Sequence, residues 1–217
     1  MIRRTAAVIS VLFLASCGGS SSPEPSQSPT SQATRSPVPT VTIDWSARPA
    51  EPVALAGGFS VQGCPGDAPF LCVSRAGDAV GLVEYLNFPV SPGATVDALI
   101  EDDNRTFTED REGTCPPEFE VKTEKPSDAE VGGSEGRRSG YSVVDGDGRT
   151  VERYVKYWAV ESGRVHLVSA EAQEEGTCSP GDGAEFRDAV LTDFEPSFAA
   201  VAEGSRFPAE ATPDPAE

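Results

Sequence analysis

The sequence has little of the chemistry that most enzymes and nucleic-acid-binding proteins use. Its 217 residues include one histidine, one methionine and three lysines, and its formal net charge is −18. Such an excess of acids is repelled by a phosphate backbone, which attracts Lys and Arg. Neither a phosphate-binding loop nor a dinucleotide-binding glycine motif occurs. We therefore predict no nucleic-acid partner and no cofactor.

The sequence also lacks a recognisable set of catalytic or metal-binding residues. A Ser-His-Asp triad would need His166, but no Gly-x-Ser-x-Gly motif accompanies it, so we interpret His166 as an ordinary strand residue. Asp145-Gly146-Asp147 begins like a calcium loop, but Thr150 and Lys156 stand where Gly and Glu are expected, which favours a turn. Glu101-Asp102-Asp103 is typical of a solvated helix face. We predict no metal site and no enzymatic activity.

No apolar run is long enough to cross a bilayer as a helix, for which about 20 residues are needed. A short run over residues 6–14 follows two arginines, which is the layout of an export signal. Its end, Leu14-Ala15-Ser16-Cys17, resembles the lipobox of bacterial lipoproteins. The resemblance implies that residues 1–16 are a signal peptide and that Cys17 is lipidated. It further implies that the lipid anchors the chain to the extracytoplasmic face of the cell membrane.

The two ends of the chain lack the periodicity of a folded domain. Residues 17–50 begin with a stretch rich in Pro, Ser and Thr, and residues 205–217 are acidic and rich in Pro. Such compositions bury too little apolar surface to offset the entropy of ordering. We predict a disordered tether over 17–50 and a disordered tail over 205–217. Residues 51–204 are predicted to form one globular domain, an ordinary size for a single core.

Four cysteines remain once Cys17 is set aside, and none of them lies in a CxxC motif. An even number in an exported domain favours two disulfides over a metal site. Turn-forming residues between two apolar segments would bend the chain into a hairpin that brings Cys64 close to Cys72. Of the three possible pairings we therefore predict Cys64–Cys72, with Cys115–Cys178 closing a long loop.

The spacing of apolar residues predicts both strands and helices. Helical spacing predicts a helix in the first half of 94–112 and a second over 183–201, which Pro196 interrupts. The strands that alternation predicts form antiparallel pairs, because short turn segments separate most of them. The predicted strands are 59–62, 70–73, 78–89, 118–124, 136–145, 151–161 and 165–172.

The order of these elements resembles the Mog/PsbP-type fold over about residues 56–202. The resemblance also includes the phrase Arg164-Val165-His166-Leu167-Val168-Ser169 and the Phe-rich helix end Asp193-Phe194-Glu195-Pro196-Ser197-Phe198. It implies an α+β fold in which two helices pack an antiparallel sheet as an α/β/α sandwich, here stapled by disulfides. Members of this group mostly serve as binding or accessory proteins, and they share no catalytic residues to transfer.

Three functions from different classes agree with these observations. The favoured one is an interaction or accessory module of the cell envelope, with the exposed sheet face or its rim as the contact; its partner and its oligomeric state are open. This function would need an apolar or aromatic patch that neither helix covers, for example one that includes Tyr154 or Trp158. A carrier of a small molecule or lipid would need an apolar pocket on the order of several hundred Å³. An acid-dependent enzyme would need acids such as Glu152 or Glu171 to converge with shifted pKa values.

Replacing Cys17 tests the predicted lipid anchor. In cells supplied with a radioactive fatty acid, the natural chain should become labelled, whereas Cys17→Ala should not, because the thioether forms on the Cys17 sulfur. The control Ser22→Ala keeps that sulfur and should be labelled like the natural chain. Equal labelling of the Cys17→Ala variant would contradict the prediction.

Overall fold

The main element of the fold is a nine-stranded sheet. The structure, a computed structural model, describes residues 41–66, 70–171, 178 and 184–208. For residues 184–190 it describes the backbone alone. A short 3-10 turn, Ala56–Gly58, precedes β3. The helices are α1 (Val96–Thr114) and α2 (Ala184–Glu203). The strands are β1 (Ile43–Asp44), β2 (Val53–Ala54), β3 (Phe59–Gly63), β4 (Phe70–Arg75), β5 (Asp78–Pro89), β6 (Glu120–Thr123), β7 (Ser127–Val131), β8 (Ser134–Val144), β9 (Thr150–Glu161), β10 (Arg164–Glu171) and β11 (Ser205–Arg206).

Every pairing within the large sheet is antiparallel. The strand order is β2-β3-β4-β5-β10-β9-β8-β6, and β7 pairs with β8 on the same edge as β6. Tight turns join most neighbours; at Ser162 and Gly163 the φ values are 51° and 77°, as a primed hairpin turn requires. The antiparallel sheet and the two helices confirm the predicted α+β class.

The two helices pack on opposite faces of the sheet, and successive residues of β9 show why. Trp158 joins the apolar cluster of Ile100 in α1, whereas Tyr157 meets Phe198 of α2 edge-on, with 5.0 Å between ring centroids. Because neighbouring side chains of a strand point to opposite faces, one strand serves both cores. The predicted α/β/α arrangement is therefore present.

The larger core lies between the sheet and α2. Phe194 and Phe198 are 2% and 0% exposed, and Phe59 packs on Phe194 with 5.1 Å between ring centroids. The sequence predicted an interruption at Pro196, but the helix continues through this residue. Both Pro196 and Thr192, whose carbonyl loses its helical partner, are exposed, so water can replace the missing hydrogen bond.

The folded part extends beyond both predicted boundaries. β1 and β11 pair in parallel, and Ile43 is 1% exposed within the α2 core. Trp45 Nε1 donates to Ser205 Oγ at 3.0 Å, and Phe207 stacks on the His166 ring with 4.2 Å between centroids. Assigning residues 41–45 to the tether and 205–207 to the tail was therefore wrong. Strands of two residues carry too little alternation to be recognised in a sequence.

Two further elements differ from the sequence predictions. α1 is helical over all 19 residues, since Thr95 caps its start and Arg105 pairs with Glu109 one turn further on at 3.1 Å. β7 was not predicted at all. It turns into β8 through Gly132 and Gly133, whose φ values of 60° and 84° suit glycine.

Both predicted disulfides are present. Cys64, directly after β3, bonds to Cys72 in the paired strand β4, with Cα atoms 5.0 Å apart. Cys115 follows the last turn of α1 and bonds to Cys178 over a sequence separation of 63, with Cα atoms 5.4 Å apart. Closing a loop of that length stabilises the fold by about 4 kcal/mol in the chain-entropy account.

Truncating Ile43 tests whether β1 belongs to the folded core. Ile43→Ala removes a side chain that is 1% exposed, so we expect the free energy of unfolding to fall by about 2–5 kcal/mol. The neighbouring control Thr42→Ala is exposed and should change it by less than about 0.5 kcal/mol. Urea unfolding of the full chain measures both values, and equal effects of the two variants would contradict the assignment.

Candidate functional site

Helix α1 covers only part of its face of the sheet. Its main contacts are with β6, β8 and β9 and with Val165 and Leu167 of β10, which leaves the same face of β4 and β5 and the end of β10 at Ser169 and Glu171 beside it. The register identifies this face, because Glu84 is opposite Ser169 and Ser169 is opposite Lys156, whose ammonium bonds to α1. We call this surface the open face. It consists of Phe70, Cys72, Leu82, Glu84, Leu86, Phe88, Ser169 and Glu171.

The open face exposes apolar side chains. Leu86 and Phe88 are 40% and 36% exposed, more than any other large hydrophobic side chain that the structure describes. They are opposite Leu167 and Val165, which are buried beneath α1 with Ile100. The exposed apolar surface is therefore continuous with the smaller core. Since Val83 and Tyr85 on the opposite face of β5 pack in the α2 core, this strand is apolar on both faces.

Two carboxyl groups lie among these apolar side chains. Glu84 and Glu171 are two positions apart on adjacent strands, near enough for long side chains to interact. Burial raises the pKa of Glu84, and Lys156 lowers it to a smaller extent. Burial and, to a smaller extent, the charge of Glu84 raise the pKa of Glu171. A hydrogen bond from Tyr154 lowers this pKa and offsets part of the increase. Both shifts disfavour the charged carboxylate.

The cations nearest to these carboxyl groups already have acidic partners. Lys156 Nζ lies 2.8 Å from both carboxylate oxygens of Asp103. Arg111 Nε donates to Glu152 at 2.9 Å. Within the described part of the chain, neither Glu84 nor Glu171 forms an ion pair. The two open-face carboxylates are thus without a counter-charge of their own.

The aromatic residues that we expected on the contact surface lie under α1 instead. Trp158 is 3% exposed, and its Nε1 donates to Ser139 Oγ at 2.8 Å. Tyr154 is half-buried beside Phe107. Burial, and to a smaller extent the negative charge of Glu171, raise the pKa of Tyr154 to about 12. The prediction of a patch at Tyr154 or Trp158 was therefore wrong. Their alternation is that of any half-buried strand and does not show which residues a distant helix covers.

The candidate acids Glu152 and Glu171 do come together around Tyr154 and Arg111. Glu152 is held in place, because its oxygens accept from Arg111 Nε and from the backbone N–H of Cys178 at 2.8 Å. Burial raises the pKa of Glu171. Glu84 was not singled out from the sequence, although one charged residue in the apolar strand 80–88 was a usable signal.

Two other candidates from the sequence are structural residues. His166 is 7% exposed on the α2 side, where its Nδ1 lies 2.9 Å from the Tyr85 hydroxyl. Asp145 Oδ1 accepts from the N–H groups of Asp147 and Arg149 at 3.0 and 2.9 Å, and these bonds lower its pKa. The carboxylate thus closes the β8–β9 turn, which confirms the turn predicted there.

The acidic triplet of α1 is divided between the sheet and the solvent. Asp103 bonds to Lys156, whereas Glu101 and Asp102 are exposed. Among residues 41–66, 70–171, 178 and 191–208, no three His, Cys, Asp or Glu side chains are placed to hold a metal ion. The helices in the described part of the chain are too short or too polar to cross a membrane. Cys17 and the rest of the lipobox lie outside the described residues.

The cavities next to α1 have mixed linings. One of about 330 Å³ lies between the start of α1 and the β7–β8 hairpin, where Arg137 bonds to Asp97 and Asp128. Another of about 150 Å³ lies between α1 and β6 and includes Arg111 and Phe119. Neither is the enclosed apolar pocket that a carrier needs, so these two cavities do not favour that function.

Two solved structures show distant similarity to this chain. No protein-family model matches the sequence, and no curated protein matches it. The solution structure of cyanobacterial PsbP (CyanoP) from Synechocystis sp. PCC 6803 has a TM-score of 0.37 and 11% sequence identity, covering 65% of this chain and 81% of that one. The crystal structure of PA94 from Pseudomonas aeruginosa, described as a protein of unknown function and putative regulator, has a TM-score of 0.31 and 16% identity, covering 71% and 100%. Similarities this distant transfer neither a ligand nor a partner to this chain.

Neutralising Glu171 tests the electrostatic environment of the open face. Because its pKa is raised above the ordinary 4.5, its contribution to stability is present below that value and is lost as the pH rises through the raised value. Glu171→Gln keeps an acceptor for Tyr154 without the charge. We therefore expect the Glu171→Gln variant to be more stable than the natural protein at neutral pH and to lose this advantage below pH 4.5.

Urea unfolding across this pH range measures the difference in the free energy of unfolding between the variant and the natural protein. The control is Glu203→Gln, which neutralises an exposed acid at the end of α2. The same pH dependence in Glu171→Gln and the natural protein would contradict the shift.

Proposed function

We propose that the protein is a membrane-anchored interaction module of the cell envelope that binds another envelope protein through the open face. The observation that supports this most directly is the exposure of Leu86 and Phe88. The uncovered face of an antiparallel sheet ordinarily alternates to polar residues. Here it carries apolar side chains that are continuous with a buried cluster, as in a surface that a partner covers.

The remaining parts of the proposal rest on the sequence. The lipobox supports a lipid on Cys17 and a position on the extracytoplasmic face of the cell membrane. Residues 18–40, rich in Pro, Ser and Thr, serve as the tether in this proposal. The disulfides Cys64–Cys72 and Cys115–Cys178 agree with an oxidising compartment. The proposed module needs no cofactor and has no enzymatic activity.

An acid-dependent enzyme is the second candidate, and Glu171 favours it. Its raised pKa is typical of a proton-donating carboxyl. The other acid of the pair, Glu152, accepts one hydrogen bond on each oxygen, from Arg111 and from the Cys178 backbone, which is the arrangement of an ion-paired structural carboxylate. A hydrolytic activity that Glu171→Gln abolishes would favour this candidate over the interaction module.

Site-specific crosslinking in intact cells tests the interaction module. A photoreactive phenylalanine analogue at Phe88 should form adducts of defined mass with one or a few proteins, because the ring is exposed on the open face. The same analogue at Thr192, exposed on α2, is the control and should not form them. Identical adducts from both positions, or none from Phe88, would refute a binding role for this surface.

A further inference from the structure

The charges on the open face indicate the chemistry of its partner. We infer that this surface binds a cationic amphipathic segment of a partner protein. The segment lays apolar side chains on Leu86 and Phe88 and places a lysine or arginine against Glu84 and Glu171. The inference rests on the proposed function and adds to it the class of segment that is recognised.

Glu84 and Glu171 supply the first reason. Both are half-buried among apolar side chains, which is costly for an ion without a counter-charge. The nearest ammonium group, that of Lys156, is shared with both oxygens of Asp103. An incoming cation would offset the charge of Glu84 and Glu171 where no described side chain does so. The raised pKa of each carboxyl agrees with the absence of a counter-charge among the described residues.

The outer surface of α1 supplies the second reason. This helix borders the open face, and its solvent-exposed charges are acidic except for Arg105. A field of one sign raises the rate at which oppositely charged partners meet the surface. A cationic segment is therefore drawn toward the open face beside α1. The exposed acids are Asp97, Glu101, Asp102, Glu109, Asp110 and Glu112.

Charge also argues against the other occupants of an apolar sheet face. A second copy of the chain has the same net charge of −18, and its open face would bring a further Glu84 and Glu171 against the first pair. Of the chain's own segments outside the described part, 67–69, 172–177, 179–183 and 209–217 contain no lysine or arginine, and the tether 17–40 contains one arginine, Arg35, and one acid, Glu24. Like charges placed opposite one another are destabilising. A partner with basic side chains satisfies both the apolar and the acidic parts of the surface.

Binding of defined peptides to the full chain tests this inference. Three fluorescent peptides of equal length alternate leucine with lysine, with serine or with glutamate, and fluorescence anisotropy measures their affinities. We expect the leucine–lysine peptide to bind at least about tenfold more tightly than the leucine–serine peptide, and the leucine–glutamate peptide not to bind. High salt should weaken the leucine–lysine complex most.

Variants locate the binding on the open face. Glu84→Gln combined with Glu171→Gln should weaken leucine–lysine binding about tenfold and leave leucine–serine binding unchanged. Leu86→Ser should weaken both. The control pair Glu130→Gln and Glu203→Gln removes two exposed acids outside the open face and should change neither affinity. Circular dichroism confirms that each variant is folded.

The outcomes separate this inference from the proposed function. Equal binding of the lysine and serine peptides, or an equal loss in the control pair, would overturn the assignment of a cationic partner. So would mapping the Phe88 adduct to a partner peptide without lysine or arginine. In each of these cases an adduct specific to Phe88 would still support an interaction module. If no such adduct forms, the proposed function fails whatever the peptides show.

Discussion

The pairing of β5 with β10 is the interaction on which the rest of the structure depends. These strands join the hairpin part of the sheet, β2 to β5, to the part formed by β6 to β10, through eight residue pairs from Arg164 opposite Pro89 to Glu171 opposite Leu82. The partners are more than 70 residues apart in the chain, so bringing the two strands together has a large cost in conformational entropy. The burial of apolar side chains that the pairing allows must offset this cost. On the α2 side Val83 and Val168 are both 0% exposed. On the α1 side burial is incomplete, and the open face results.

Incomplete burial on one side explains why this surface mixes apolar and acidic residues. β5 must present apolar side chains to α1's cluster at one end, where Phe88 is opposite Val165. At its middle, Glu84 is opposite Ser169 and faces no helix core. A carboxyl is tolerated there because it is only half-buried and retains access to water. The same geometry leaves it without a protein counter-charge, which gives the surface its preference for cations.

The sequence predicted the elements whose signals are local. The alternation in residues 78–89 matches β5, and the turn between Cys64 and Cys72 correctly indicated their disulfide. What it missed depends on distant partners. The second half of α1 is held by Arg111 on Glu152 and by the Phe107 ring on Tyr141, with 3.7 Å between centroids. β1 needs a partner strand near the other end of the chain. Leu86 has the alternation of a core residue, and its exposure follows from where α1 ends its coverage.

The parallel pair of β1 and β11 also determines which contacts of the domain first bear a mechanical force applied to the N-terminal segment. Ile43 and Trp45 pack in the core on the α2 side, so the chain joins the fold on the face opposite the open face. A pull on the N-terminal segment therefore reaches the two-residue pair Ile43–Ser205 and Asp44–Arg206 before it reaches the large sheet. Those few hydrogen bonds, with Trp45 on Ser205, would yield first. Releasing five residues, 41–45, would lengthen the connection by at most about 18 Å, while the nine-stranded sheet and the open face stay intact.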